Sequence, residues 1–238
     1  MRQINKLIRL EERSTPQEVD IHDLIEVLIT TLNVRDKYTY EHSWRVAEVA
    51  TEIAQEMGLN EERVEIVHQA AHLHDIGKVG VDDKVLNKSG KLTELEYKEM
   101  QKHPVIGYNI LAKIDIFEVI APLVLYHHER YDGLGYPEGI VGEDIPLASR
   151  IIGVADAFDA MTSNRSYRQA KSYDYAYQEI NEHVGEQFCP TVVENFNHVF
   201  VKLPNILAEV NNELKTETNN NYDLTEVTHN EIFHSKKI

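Results

Sequence analysis

Cysteine is nearly absent, tryptophan is rare and positive charge is in short supply, and each scarcity closes a route. The 238 residues hold one cysteine, Cys189, so no internal disulfide can form. That usage fits a reducing compartment. Tryptophan occurs once, at Trp44. Lys and Arg number 24 against 40 Asp and Glu, a net charge of −16. A nucleic-acid polymer is therefore excluded as the main partner, because duplex binding needs a basic footprint to displace counterions. An acidic protein can still hold a small anion if metal ions supply the positive charge locally. No apolar run approaches the ~20 residues that span a bilayer. Residues 1–10 are basic but lack a continuous apolar stretch, so they read as an amphipathic helix and not a signal peptide. The expected setting is the cytoplasm, with no membrane partner.

What is present is helical periodicity. With 42% hydrophobic residues the chain can bury a core. Val19, Leu24, Ile25, Leu28 and Leu32 make one apolar stripe, with a start signal at Thr15-Pro16. Trp44, Ala47, Ala50, Ile53, Ala54 and Met57 make a second, closed by Gly58. Val64, Val67, Ala70 and Ala71 lead to His74 in a third. Thr93 with Glu96 reads as a capping box. Further helices are expected at about 105–113, 116–128, 146–162, 173–184 and 190–202, with Pro146 and Pro190 as first-turn prolines. Glycine and proline cluster at 130–146, a long structured loop. No alternating strand pattern appears, and the fold class is all-α. Residues 1–14 are expected to form an extra helix, 15–204 the main domain, and 205–238 a polar, frayed extension containing Thr216 to Asn221.

The histidines carry the chemistry. His74-Asp75 ends one expected helix and His127-His128 another; His42 and Asp156 lie on others, and His103 directly precedes Pro104. Imidazole and carboxylate together suit first-row transition metals. An aspartate such as Asp75 can bridge two ions, which then share and activate a water and clamp a phosphoryl group. Adjacent histidines on a regular helix point ~100° apart, so His127 and His128 converge only near a helix end. His68 and His72 have the spacing of a metal pair but read as packing or surface residues. His22, His183, His198, His229 and His234 read likewise.

His74-Asp75-Ile-Gly-Lys78, the run HHERYDGLGYP from His127 to Pro137, and VADAFDAMTSNRSYR from Val154 to Arg168 resemble the HD-GYP subgroup of the HD superfamily. YTYEHSWRV around His42, KSGKLTELEYKEMQKH ending at His103, IPLASRI before Asp156 and GEQFCP near Cys189 extend the likeness over roughly residues 19–202. The resemblance implies a helical bundle with a metal site between helices and a long GYP loop. It implies seven ligands: His42, His74, Asp75, His103, His127, His128 and Asp156, with Asp75 bridging. It implies iron or manganese, and hydrolysis of cyclic di-GMP by a metal-bridging hydroxide to the linear dinucleotide or on to GMP. Cyclic GMP-AMP is the alternative substrate, and a ligand-sensing or docking module the alternative class.

Departures refine this. Some members hold a third metal through a Glu four residues before the first ligand histidine, but here Tyr38 stands there. Two ions are therefore expected, and a product that stops at the linear dinucleotide. Glu41 replaces a common Gly. Cys189 replaces a common Asp and should cap its helix poorly, at a cost of ~1 kcal/mol.

Lys78 reads as a cation for the phosphate and leaving oxygen, or as a solvated helix-end lysine. Arg165 and Arg168 read as grips for the substrate's far end, or as surface ion-pair partners. Tyr136 belongs to a loop that either rims the substrate, docks a cyclase-type partner, or simply covers the metal helices. The helix at 4–10 is a candidate homodimer contact.

Overall fold

The computed structural model describes residues 21–33, 37–164 and 169–221. In chain order the helices are α1 (Ile21–Asn33), α2 (Lys37–Glu56), α3 (Glu61–Leu73), α4 (Asp83–Leu86), α5 (Glu94–Met100), α6 (His103–Leu111), α7 (Ile120–Leu125), α8 (Leu147–Thr162), α9 (Tyr173–Glu182), α10 (Pro190–Val199) and α11 (Leu203–Asn221). Single 3₁₀ turns lie at Ile76–Gly80, Asp115–Phe117 and Gly142–Asp144. No strand occurs among the described residues, only an isolated bridge between Val184 and Phe188. The expected all-α class is what the chain adopts. Among the described residues no helix is long and apolar enough to cross a membrane.

Helix α2 is the central strut, touching α1, α3, α8, α10 and α11. Its Ala47, Ala50 and Ala54 are fully buried, as are Ala70 and Ala71 of α3 and Ala155 of α8. Small side chains let these backbones approach closely, which brings polar residues on different helices within reach of one another. Larger side chains fill the far end. Phe158, Phe196, Phe200, Tyr173 and Tyr177 pack ring on ring, with Phe158 and Phe196 centroids 5.4 Å apart. Burying each such ring is worth roughly 1.5–3 kcal/mol.

One close approach requires glycine. A Cβ on Gly77 would lie 1.8 Å from the His103 carbonyl oxygen and 2.5 Å from the Gly107 nitrogen. The turn after Asp75 thus rests directly on the backbone of α6, which sets Asp75 beside His103.

Local signals hold where they are local. Thr93 and Glu96 form the full capping box, and Pro190 opens α10. Cys189 caps α10 without a side-chain hydrogen bond, as expected. Three elements differ. The helix expected at 116–128 is a 3₁₀ turn followed by the short α7. Pro122 explains this, because a proline lacks the N–H of a helix interior and is tolerated only in a first turn. Pro146 is the N-cap residue of α8 and not its first helical residue. Beyond Asn205, where a frayed extension is expected, α11 runs on to Asn221, with Leu203, Leu207, Val210 and Leu214 buried. Their spacing of four, three and four is an amphipathic stripe inside a polar stretch. The expected helix over residues 1–14 and the start signal at Thr15-Pro16 lie outside the described residues.

Candidate metal centre

Five elements bring the expected donors together. His42 comes from α2, His74 and Asp75 from the end of α3, His103 from the first turn of α6, His127 and His128 from just past α7, and Asp156 from α8. His127 and His128 do sit beyond a helix end, where adjacent imidazoles can converge. Their ring centroids are 4.1 Å apart. His42, His74, Asp75, His103 and His127 are each no more than 2% exposed.

The donors fall into two groups, each compact enough to surround one ion. His42, His74 and Asp75 form one, and His103, His127 and His128 the other. Asp75 reaches both. Its Oδ2 lies 3.3 Å from His74 Nε2 and 3.6 Å from His42 Nε2, while its Oδ1 lies 3.4 Å from His103 Nε2. Within the groups, His42 and His74 Nε2 atoms are 3.2 Å apart, and those of His103 and His127 are 3.3 Å apart. Asp156 Oδ1 adds an oxygen 3.2 Å from His42 Nε2.

The opposite edge of each ring is tied down. Nδ1 donates to a backbone carbonyl in His74 (Ala71, 2.6 Å), His103 (Met100, 2.7 Å) and His127 (Val124, 2.6 Å). Those three carbonyls belong to the residue three before each histidine, at a helix end or the turn beyond it, where the carbonyls lack intrahelical partners. Such bonds fix the tautomer and leave the Nε2 lone pair facing inward, as a metal site needs. The donor set therefore fits a divalent transition ion.

His42 is held differently. Its Nδ1 lies 2.7 Å from Asp159 Oδ2. Asp159 is fully buried and accepts from Arg45 Nε at 2.6 Å and from the Ser163 hydroxyl at 3.0 Å. Arg45 and Asp159 were not singled out in the sequence. The available signal was spacing, since Asp159 follows Asp156 by three residues on one helix.

Charge is divided unevenly. Burial lowers the pKa of His103 to about 3 and of His128 to about 4, and takes His127 well below its usual range. These rings stay neutral. Burial would also lower His42, but hydrogen bonds to Asp156 and Asp159 win and raise it to about 9. Burial would raise the Asp75 carboxyl, yet Lys78 and His74 hold it well below the usual range. Lys78 Nζ donates to Asp75 Oδ2 at 2.5 Å, at the margin of the cluster.

Tyr136 lies over His128, ring centroids 4.8 Å apart, and its backbone N–H donates to the His128 carbonyl at 3.3 Å. Gly135 permits this, because a Cβ there would lie 2.3 Å from the Arg130 nitrogen. Glu129 anchors the same loop by accepting from the N–H groups of Glu138 and Gly139. Arg165 and Arg168 lie outside the described residues, as does the side chain of Tyr38. Glu41 sits 3.8 Å from Arg45 on the exposed side of α2. A cavity of about 170 Å³ lies behind His128 and Asp156 and reaches Arg150 and Cys189.

Residues 26–192 match the HD domain family model, well over half of the chain. The chain is a member of the HD domain family. A cyclic di-GMP phosphodiesterase of Thermotoga maritima is 39% identical over 209 residues, covering 87% of this chain and 56% of that protein. The cyclic di-GMP phosphodiesterase response regulator RpfG of Xanthomonas campestris is 45% identical over 169 residues, covering 70% of this chain and 45% of that one. This HD-domain chain thus spans about half the length of the curated relatives it matches. The crystal structure of a cyclic GMP-AMP specific phosphodiesterase of V. cholerae superimposes with a TM-score of 0.59 at 24% identity, over 79% of this chain and 52% of that one, a likeness of fold.

Proposed function

We propose that this HD-domain chain hydrolyses a cyclic dinucleotide, cyclic di-GMP first, to the linear dinucleotide at a centre of two divalent ions, iron or manganese. The observation that carries the reading is Asp75, whose two oxygens face two separate imidazole groups. His42, His74 and Asp156 would hold one ion and His103, His127 and His128 the other, with Asp75 between them. Bound ions of this kind supply an activated water and positive charge for the phosphoryl oxygens. The names of the relatives from Thermotoga maritima and Xanthomonas campestris support the substrate class.

The chain's own residues do the rest. Lys78, already at the edge of the cluster, turns from Asp75 to the phosphate and steadies the leaving oxygen. Tyr136, packed on His128, lines the entry for a base. Arg165 and Arg168 grip the distal phosphate or a guanine edge through paired hydrogen bonds. The imidazoles of His103 and His127 are neutral and have Nδ1 already engaged, so they need no change of tautomer to accept an ion. Tyr38 offers no carboxylate for a third ion, so the reaction stops at one hydrolysis. The exposed Leu134 on the GYP loop is the contact offered to a cyclase-type partner.

Metal analysis and turnover under anaerobic conditions test the proposal together. Protein loaded with iron or manganese should carry two ions and open cyclic di-GMP, with cyclic GMP-AMP turned over more slowly. Asp75→Ala should abolish turnover. Two bound ions with no turnover of either substrate would remove the enzymatic reading, and a preference for cyclic GMP-AMP would reassign the substrate.

A further inference from the structure

A second set of metal-type donors lies outside the centre just described, on the opposite side of α3. His68 and His72 of α3 place their Nε2 atoms 3.2 Å apart. That matches the Nε2 pairs of the candidate centre, at 3.2 and 3.3 Å. Two nitrogens bound to one tetrahedral ion at ~2.0–2.1 Å lie about 3.3 Å apart. His68 has its other nitrogen engaged, with Nδ1 3.1 Å from the Thr51 hydroxyl. His72 is only 4% exposed, and its Nδ1 makes no hydrogen bond within the protein. Nδ1 stays unpartnered whichever group meets Nε2, so the Nε2 pair is the feature that points to an ion.

Two more donors lie near the pair without yet forming one compact group with it. Glu65 precedes His68 by three residues and His72 by seven, on the same stripe of α3. His22 of α1 lies 3.4 Å from Glu65 Oε1. Burial, opposed by Glu65, lowers the His68 pKa. Neutral imidazole is the form that binds a metal.

We propose that His68 and His72 are the core of a separate divalent-metal site between α1 and α3, completed by His22 and Glu65. The two imidazoles are already in place. His22 and Glu65 are about half exposed and close on the ion by side-chain rotation. Three imidazoles and one carboxylate suit a borderline ion such as zinc. A bound ion would clasp α1 to the helix that delivers His74 and Asp75.

Zinc binding to the full chain tests this, because it reads occupancy without turnover. Chelated protein is reloaded with zinc, passed over a desalting column and analysed for zinc per chain. His68→Gln should retain one equivalent fewer than the unaltered chain, with unchanged helical circular dichroism. His22→Gln, at an exposed position, should weaken that same equivalent at least tenfold in a competition titration. Equal equivalents and equal affinity in all three proteins overturn the site. Loss of every equivalent together in His68→Gln also overturns it, since His68 would then act only through the fold of the main cluster. Should His68→Gln prove unstable, unchanged zinc affinity in His22→Gln overturns it alone.

Discussion

At the scale of single residues, the positioning of His42 is the most informative detail. Its Nδ1 leans on Asp159, and Asp159 is itself fixed by Arg45 and Ser163. Partners of this outer kind typically govern metal affinity by 10–100-fold. Asp159→Asn keeps the shape and removes the charge, so ion affinity should fall by about that factor in an equilibrium titration. Unchanged affinity would mean that Asp159 serves only to neutralise Arg45. Cys189 offers a test in the other direction. It sits at the N-cap of α10 with extended backbone (ψ 126°) and gives that helix no side-chain hydrogen bond. Arg150 contacts its sulfur at 3.4 Å, while Arg150 Nε has no partner within the protein. Cys189→Asp supplies a capping oxygen and a counter-charge, and should stabilise the fold by about 1 kcal/mol in denaturant titration. Destabilisation would mean that the cavity cannot accept a buried carboxylate.

At the scale of elements, α11 separates sequence pattern from composition. Leu203, Leu207, Val210 and Leu214 bury one stripe, while the residues between them are polar enough to read as a tail. Leu207→Ala should therefore cost about 2–4 kcal/mol, as for a buried leucine, read as a lowered denaturation midpoint. A frayed tail would make it silent. The local signal for this helix is Pro204, second residue of α11, where helix-start prolines belong. Pro122, in the first turn of α7, is a signal of the same kind. Features that depend on neighbours in sequence are legible, such as the capping box at Thr93 and the first-turn Pro190, whereas the break after α7 falls before His127 and not after His128. Features that depend on neighbours in space are not legible. Asp159 and Arg45 come from helices 114 residues apart, and no local pattern pairs them. His68 and His72 had the right spacing, but only coordinates reveal that their nitrogens meet.

At the scale of the whole molecule, proton binding and ion binding compete for the same buried nitrogens, and this gives stability a pH dependence that changes with loading. Consider the chain stripped by a chelator. His42 is raised from 6.5 to about 9, so the folded state holds a proton that the unfolded state gives up. Its contribution is full below pH 6.5 and is lost as pH rises through about 9. His103 and His128 are lowered to about 3 and about 4, so there the unfolded state holds the extra protons. Their effect is absent above pH 6.5 and subtracts stability as pH falls toward 4. The stripped protein should be most stable near pH 6.5 and weaken on both sides. The net charge of −16 adds self-repulsion on the alkaline side, so that limb alone does not isolate His42. Loading with ions does. An ion on His42 Nε2 displaces the proton, so metal binding strengthens with pH until His42 has titrated. The gap in melting temperature between loaded and stripped protein should therefore widen from pH 6.5 to 9, while self-repulsion largely cancels in the difference. Melting curves at half-unit intervals, with and without manganese, measure it. A gap that stays constant across that window would show that His42 carries no proton for the ion to displace, and would place the first ion elsewhere than on His42.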